Sequence, residues 1–352
     1  MKVNTLKTFL FSVFARLLVR GFLFEWIMLW GEGPREGLGS GKRSGFPSVA
    51  SPKNRKYHIL AYHRVNDQQD PFFGATPVEV FRRQMALLAT HFHIYPLQEL
   101  IRRSAVGDVP PRAVAITFDD GYKDNYEVAF PILKEFNIPA TIFLTTGVIG
   151  SGVTLWHDKV FEAFRRTTAS SFENAGASGS LKTIKDKQQA LDRFLRALRL
   201  LSPNERDCQV ESLLKALKVD LSGWLGALML TWEEVGLMAK AGIDFGAHTV
   251  THPILSRMEP DDARREICQS RWTIEERLQK PTCLFAYPNG SRLDYNNATK
   301  EILREENFLC AVTTIVGLNH ADTDHFELRR SQPWGEDPEL TVLRLAWDQI
   351  VV

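Results

Sequence analysis

The sequence predicts an α/β fold, a parallel sheet curved into a distorted (β/α) barrel with helices around it. From residue 57 onward, short apolar runs of strand length alternate with segments of helical period. Repeated β-α units of this kind predict parallel strands. Polar residues with reactive side chains directly follow several of the apolar runs, and the carboxyl ends of parallel strands are where such folds carry function.

The elements follow one another in a regular order. Strands are predicted at residues 57–62, 113–118, 140–145, 244–247, 282–286 and 309–314. Helices are predicted at residues 78–90, 125–136, 232–241, 260–279 and 297–306. The first helix shows the pattern, because Phe81, Met85 and Leu88 recur along one side of it.

Residues 158–227 break this alternation. Leu191, Leu195 and Leu198 recur at helical spacing there, and a Ser/Gly/Ala-rich stretch at 167–180 interrupts the pattern. We therefore predict a mostly helical insertion in a catalytic domain of residues 57–335. It is either a lid or substrate-side wall, or a plain structural elaboration. Residues 336–352 are expected to form a C-terminal helix or tail.

The N-terminal segment has a pattern of its own. Between Thr5 and Arg20, polar residues recur every three or four positions among Leu, Phe and Val, which predicts an amphipathic helix. The apolar run continues to Trp30, so residues 1–30 are expected to associate with a membrane. Three forms remain open: a helix in the membrane interface, a spanning anchor, or an ordinary docking helix. Residues 31–56, rich in Gly, Ser, Pro and basic side chains, are expected to be a flexible linker.

The net charge of +1 is a sum of two opposite parts. Residues 1–56 contain ten Lys and Arg against three Glu, a charge of +7 that leaves −6 for the remainder. A mildly acidic body argues against nucleic acid as a partner, whereas a basic apolar terminus suits a membrane surface. The sequence has no clear export signal, which favours the cytoplasmic face over a periplasmic or extracellular position.

Two local clusters carry the expected chemistry. Asp119 and Asp120 end a predicted strand, and Gly121 permits a tight turn there, although such a triplet also occurs in plain turns and helix caps. His248 and His252 also follow a strand, and histidines four apart can project from one helical turn toward a single metal ion. One carboxylate with two histidines leaves a coordination position for water, as in hydrolytic metal sites.

The order of the motifs is more specific than any one of them. Tyr-His-Arg-Val at 62–65, Thr-Phe-Asp-Asp-Gly at 117–121, His-Thr-Val-Thr-His-Pro at 248–253 and Phe-Ala-Tyr-Pro-Asn-Gly at 285–290 follow one another. This set resembles the polysaccharide deacetylase family with its NodB-homology domain, in a permuted subgroup with an early Tyr-His-Arg motif. The resemblance covers residues 57–335. It implies a distorted barrel, one divalent metal ion, commonly zinc, and the removal of acyl groups from sugars.

The resemblance also implies residue roles. Asp120, His248 and His252 correspond to the metal ligands, and Asp119 corresponds to the general base. A backbone N–H near Asn289 is implied to stabilise the oxyanion, with Tyr287 and Pro288 of the same turn next to the substrate.

Two departures from the family pattern decide the remaining roles. No apolar late strand is followed by the usual acid histidine, since His320 and His325 lie in a polar stretch, so we expect His63 to act as the general acid. Its alternative is a buried histidine that supports the metal site. Ala286 stands where the family has an arginine that contacts the base. Arg330 is expected to hold Asp119 ionised instead, with Arg329 as its competitor.

Trp156 and Asp158 follow the strand predicted at 140–145. We expect them to line the sugar cleft, because aromatic faces pack on sugar rings; packing in the core is the alternative. The predicted function is metal-dependent removal of an N-acetyl or related acyl group from an amino-sugar glycan or lipid-linked glycan. An O-acetyl esterase and a catalytically silent carbohydrate-binding module are the alternatives.

Overall fold

The computed structural model describes residues 55–222, 228–333 and 337–350. The predicted N-terminal helix (1–30) and nearly all of the predicted linker (31–56) therefore lie outside the described residues. Within the described ranges, no helix combines the length and the apolar character needed to cross a membrane.

Seven strands of the described chain form one parallel sheet. They are β1 His58–Tyr62, β2 His93–Ile94, β3 Ala113–Phe118, β4 Thr141–Leu144, β7 Asp244–Ala247, β8 Leu284–Ala286 and β9 Cys310–Val312. Their order is β1-β3-β4-β7-β8-β9, and β2 pairs with the start of β3. The strands of this order lie close to their predicted positions. The two-residue strand β2 was not predicted, because it is too short to show a pattern.

The sheet curves into a distorted barrel, as predicted, and one extended segment spans the gap between its edges. Leu328 forms a parallel bridge with Val312 of β9, and Ser331 forms one with Leu60 of β1. Backbone hydrogen bonds accompany both bridges: Leu328 N–H donates to Ala311 O, and Ser331 N–H donates to Ile59 O. The closing segment therefore carries Arg329 and Arg330 between the two edge strands. Its two isolated bridges leave no strand signal in the sequence.

Helices surround the sheet and follow the strands. They are α1 Val78–His91, α2 Leu97–Ala105, α3 Phe130–Glu135, α4 Trp156–Arg166, α5 Ile184–Leu198, α6 Pro203–Ala216, α7 Trp232–Lys240, α8 Pro260–Leu278, α9 Asn297–Glu305 and α10 Pro338–Ile350. Helix α2 was not predicted, and a π-helical turn at Asn125–Ala129 precedes α3 within the helix predicted there. All six residues of β3 are buried, which explains why its sequence is apolar throughout rather than alternating.

The insertion between β4 and β7 is helical apart from one hairpin. Helices α4, α5 and α6 enclose their own apolar cluster, which includes Phe164, Phe194 and Leu213. The Ser/Gly/Ala-rich stretch forms an antiparallel hairpin of β5 Ser171–Asn174 and β6 Ala177–Ser180. Its small polar residues gave no strand signal. The insertion is thus a packed unit, and α4, α5 and α6 each contact the rest of the domain.

Candidate metal centre and active site

Asp119 and Asp120 follow β3 directly and are almost fully buried. The backbone turns sharply here, because Asp120 and Gly121 have positive φ angles of 73° and 85°. A Cβ atom at Gly121 would lie 2.8 Å from side-chain carbons of Leu144 and Ile149, so the turn accepts only glycine at this position. The strained turn points two adjacent carboxylates into one site, which favours the functional interpretation over a plain surface turn.

His248 and His252 lie in a loop after β7, not in the helical turn that the four-residue spacing suggested. Thr249 and His252 have left-handed backbones with φ of 66° and 56°, and this brings the two imidazole rings within 4.9 Å of each other. Glu266 of α8 holds the loop, since it accepts the N–H groups of Val250 and Thr251 at 2.7 and 2.9 Å.

The two clusters meet at the carboxyl ends of β3 and β7. Oδ1 of Asp120 lies 3.4 Å from Nε2 of His248 and 3.4 Å from Nε2 of His252. The three side chains are buried, and their ligand atoms lie within 4.8 Å of one another. Nδ1 of His248 lies 2.7 Å from the carbonyl oxygen of Ala286, which leaves Nε2 directed toward Asp120.

This donor set fits a divalent metal ion. Oδ1 of Asp120 is buried and has no hydrogen-bond partner among the described residues, an arrangement that is costly without a cation. Two imidazoles and one carboxylate are the ligand types of catalytic zinc and related sites with an open position. Among the described residues, no other group of three or more His, Cys, Asp and Glu side chains is clustered in this way.

Burial and neighbouring groups shift the pKa values of the three candidate ligands in different directions. Burial alone would raise the pKa of Asp120, but the hydrogen bond with His248 and the electrostatic interaction with the adjacent His252 bring that pKa well below its usual range. Burial lowers the pKa of His252 well below its usual value, so its imidazole is neutral and able to bind a cation. Burial would also lower the pKa of His248, but the adjacent Asp120 carboxylate outweighs it and raises that pKa.

Arg330 binds Asp119 through two parallel hydrogen bonds. Its NH1 and NH2 atoms donate to Oδ1 and Oδ2 of Asp119 at 2.8 and 2.6 Å, and neither side chain is accessible. Nε donates to the carbonyl oxygen of Thr313 at 2.7 Å, which fixes the guanidinium. Burial would raise the pKa of Asp119, but the Arg330 charge and its hydrogen bonds lower it overall. The competitor, Arg329, is exposed.

His63 also reaches this centre. Its Nε2 lies 3.8 Å from Oδ2 of Asp119 and 4.0 Å from Oδ2 of Asp120, and its side chain is 17% exposed. His63 therefore lies close to both carboxylates and remains partly accessible from solvent. His320 instead lies in a half-exposed loop, where its Nδ1 is 3.9 Å from Asp322.

The Tyr-Pro-Asn-Gly turn lies beside the same centre, after β8. Asn289 has a positive φ of 58°, and its buried Nδ2 has no hydrogen-bond partner among the described residues. The side chains of Tyr287 and Pro288 are buried. Tyr287 stacks on Tyr295 at 4.1 Å and donates its hydroxyl to Phe326 O. Side-chain contact of Tyr287 with substrate is therefore not supported, and the ring positions the turn instead.

Trp156 and Asp158 are buried, so packing in the core describes them better than the predicted sugar cleft. The indole N–H of Trp156 donates to the carbonyl oxygen of His252 at 3.0 Å. The hydroxyls of Tyr122 and Thr154 donate to Asp158 at 3.1 and 3.0 Å. Burial, followed by the charge of Asp120, raises the pKa of Asp158 to about 7.

Sequence reasoning missed several residues that surround the centre. Glu266 holds the histidine loop, and the ring of His157 lies 5.0 Å from that of His252. Arg206, on α6, donates to the carbonyl oxygen of His252. Of these residues, only His157 had a signal in the sequence, because it directly precedes Asp158, which was predicted to line the sugar cleft. Glu266 and Arg206 lie in helices whose charged residues are otherwise typical of solvated faces.

The matching family model and the similar curated proteins agree on one family. Residues 106–310 match the family model described as Polysaccharide deacetylase. The chain is 22% identical over 284 residues to the putative polysaccharide deacetylase YxkH of Bacillus subtilis, covering 80% of this chain and 73% of that protein. It is 30% identical over 172 residues to the poly-beta-1,6-N-acetyl-D-glucosamine N-deacetylase of Staphylococcus epidermidis. That match covers 38% of this chain and 59% of that protein.

Solved structures agree on the fold. The Streptococcus pyogenes deacetylase PplD in complex with acetate superimposes with a TM-score of 0.57 at 21% identity, covering 83% of this chain and 99% of that one. IcaB from Ammonifex degensii gives a TM-score of 0.54 at 20% identity, with 84% and 98% covered. At these identities the likeness establishes the shared fold.

Proposed function

This chain belongs to the polysaccharide deacetylase family, and on that premise we propose that it removes N-acetyl groups from an amino-sugar glycan by hydrolysis. One observation carries the proposal: the Asp119–Arg330 pair and the Asp120, His248 and His252 cluster share one buried centre at the strand ends. Relatives named poly-beta-1,6-N-acetyl-D-glucosamine N-deacetylases support a polymer of N-acetylglucosamine as the substrate class.

Asp120, His248 and His252 would hold the metal ion on which members of the family typically depend. We propose zinc, because two imidazole nitrogens and one carboxylate suit it. When bound, such an ion supplies Lewis-acid chemistry and lowers the pKa of water at the site toward neutrality.

Asp119 acts as the general base in this proposal. Arg330 occupies both of its oxygens with hydrogen bonds and lowers its pKa, so the carboxylate is ionised at neutral pH. It takes a proton from the attacking water as the water adds to the acyl carbonyl. The resulting oxyanion is stabilised by donors of the turn at Asn289.

His63 completes the proposed reaction by protonating the leaving amine. Its Nε2 lies within 4.0 Å of both carboxylates, and its side chain is more accessible than those of Asp119 and the three proposed ligands. A leaving amine must gain a proton before it can depart, and a partly exposed imidazole can deliver one and be reprotonated from solvent.

The test uses purified full-length protein, zinc and matched N-acetylated and O-acetylated β-1,6-linked glucosamine oligomers. Release of acetate with new free amines is expected from the N-acetylated oligomer. Asp119→Asn and His248→Ala should abolish it, while Asp322→Asn and His320→Ala, at accessible positions of a loop, should keep it. Hydrolysis of the O-acetylated oligomer alone would support the esterase. Glycan binding without hydrolysis of either oligomer would support the silent binding module, and undiminished activity in Asp119→Asn would exclude the mechanism.

We also propose that residues 1–30 hold the enzyme at a membrane, on the cytoplasmic face. The basic apolar composition of that segment supports this proposal. A lipid-linked glycan precursor would then be within reach of the catalytic domain.

A further inference from the structure

The helical insertion contacts His252 at two places: the ring of His157 lies 5.0 Å from the His252 ring, and two donors bind the His252 carbonyl oxygen. Trp156, the first residue of α4, donates its indole N–H to this oxygen at 3.0 Å. Arg206 of α6 donates an NH1 proton to the same oxygen at 3.3 Å. The Arg206 guanidinium lies 4.8 Å from the centre of the Trp156 ring, so the two donors also hold each other.

The peptide held in this way belongs to a strained residue. His252 has a left-handed backbone with φ of 56°, which is unfavourable for a residue with a side chain and persists only where surrounding contacts fix it. Its N–H donates to Oγ1 of Thr249 at 3.1 Å. The barrel therefore holds the amide side of His252, and the insertion holds the carbonyl side. The direction of the imidazole depends on both.

Arg206 is unusual for a residue of a surface insertion, because it is only 3% exposed. Its salt-bridge partner in the described structure is the next residue, Asp207, at 2.8 Å, and Asp207 is 60% exposed. Burying a charge costs free energy unless hydrogen bonds or an ion partner compensate for the lost hydration. An apolar side chain at this position would pack α6 against α4 at a lower cost in free energy. An apolar side chain could not make the hydrogen bond that Arg206 donates to the His252 carbonyl oxygen.

We propose that Arg206 and Trp156 are positioning residues for His252, and that the insertion thereby sets the affinity of the centre for its metal ion. The inference rests on the proposed function in taking His252 as a ligand. On this inference the insertion is a structural part of the active site rather than a lid or a plain structural elaboration. Outer contacts of metal-binding histidines commonly contribute 10- to 100-fold to affinity.

The test measures zinc affinity of the full chain by competition with a chromophoric chelator, and the visible spectrum of the cobalt-substituted protein. Arg206→Met should weaken zinc binding by about 10-fold or more and change the cobalt spectrum. Arg206→Lys keeps a charged donor and should recover part of the affinity. Arg196→Met is the matched control, since Arg196 lies on α5 of the same insertion and pairs with Asp192 at the surface.

Trp156→Phe provides a second route if Arg206→Met fails to fold. It keeps an aromatic ring beneath the guanidinium and removes the N–H donor, so zinc binding should weaken by about 5-fold. Affinities within two-fold of wild type in all folded variants, with an unchanged cobalt spectrum, would overturn the inference while leaving the proposed function intact. Failure of the wild-type chain to bind zinc or cobalt would overturn the proposed function itself.

Discussion

Replacing Arg330 by Met should destabilise the protein severely, because it leaves the Asp119 carboxylate buried and unpaired. Arg330 is fully buried and is the bidentate partner of Asp119 at 2.6 and 2.8 Å. Breaking a buried ion pair on one side costs about 3–5 kcal/mol. At about 2–4 °C per kcal/mol for a domain of this size, the melting temperature should fall by about 10 °C.

The double variant separates the lost pair from lost packing. In Arg330→Met/Asp119→Asn neither charge remains, so the double variant should be about 2 kcal/mol more stable than the sum of the two single changes predicts. Part of the cost should persist, since the carbonyl oxygen of Thr313 still loses the donor that Arg330 Nε supplied.

The assay is urea unfolding followed by tryptophan fluorescence, with excess chelator present so that metal binding does not contribute. Arg329→Met is the control, because Arg329 is adjacent to Arg330 in the sequence but has an exposed side chain. The free energy of unfolding of this variant should stay within about 0.5 kcal/mol of wild type. If Arg330→Met were as stable as this control, or if the double variant showed no coupling, the charge argument would be refuted.

Three further predictions concern the metal, an interior histidine and the N-terminus. Chelator should lower the melting temperature of zinc-loaded protein, since an ion present at 100 times its Kd adds about 2.7 kcal/mol; an unchanged melting temperature would contradict the assigned ligands. Burial lowers the pKa of His58 to about 4. Since the unfolded chain binds this proton at higher pH, the stability that His58 contributes is present above about 6.5 and is lost as the pH falls toward 4, by up to about 3 kcal/mol. The free energy of unfolding, measured at several pH values, should fall less steeply below pH 6.5 in His58→Gln than in the wild type. Equal slopes in the two proteins would argue against this role of His58. Deleting residues 1–30 should abolish flotation with anionic vesicles, and unchanged flotation would show that the basic segment is not the anchor.

The elements that the sequence predicted are those whose pattern lies within one stretch of chain. Strand β3 was predicted at its observed bounds because all its residues are apolar and a polar turn ends it. Helix α8 was predicted to within one residue, from Pro260 at its start to the left-handed Gln279 after it. The β5–β6 hairpin was missed because most of its residues are small or polar, and its pairing depends on packing against α5 and α6.

The site divides in the same way. Asp119, Asp120, His248 and His252 stand in two short motifs, and their residue types and their positions after strands indicated metal chemistry. The choice between Arg329 and Arg330 needed the structure, because the backbone of the closing segment decides which of two adjacent side chains points inward. The same holds for Trp156, whose amphipathic ring is equally suited to a sugar cleft and to an interior hydrogen bond.

The sequence by itself determined the order of strands and helices, the candidate metal ligands, and the split between a basic terminus and an acidic body. These depend on periodicity and on residues a few positions apart, which are local in the chain. The tertiary structure decided how Arg330 reaches Asp119 from 211 positions away, and how Arg206 reaches His252 from 46 positions away. Such contacts form only when the barrel closes and the insertion folds back on it. The energies of these contacts depend on burial and on hydrogen-bond geometry. Neither produces a local pattern in the sequence from which the contact could be predicted.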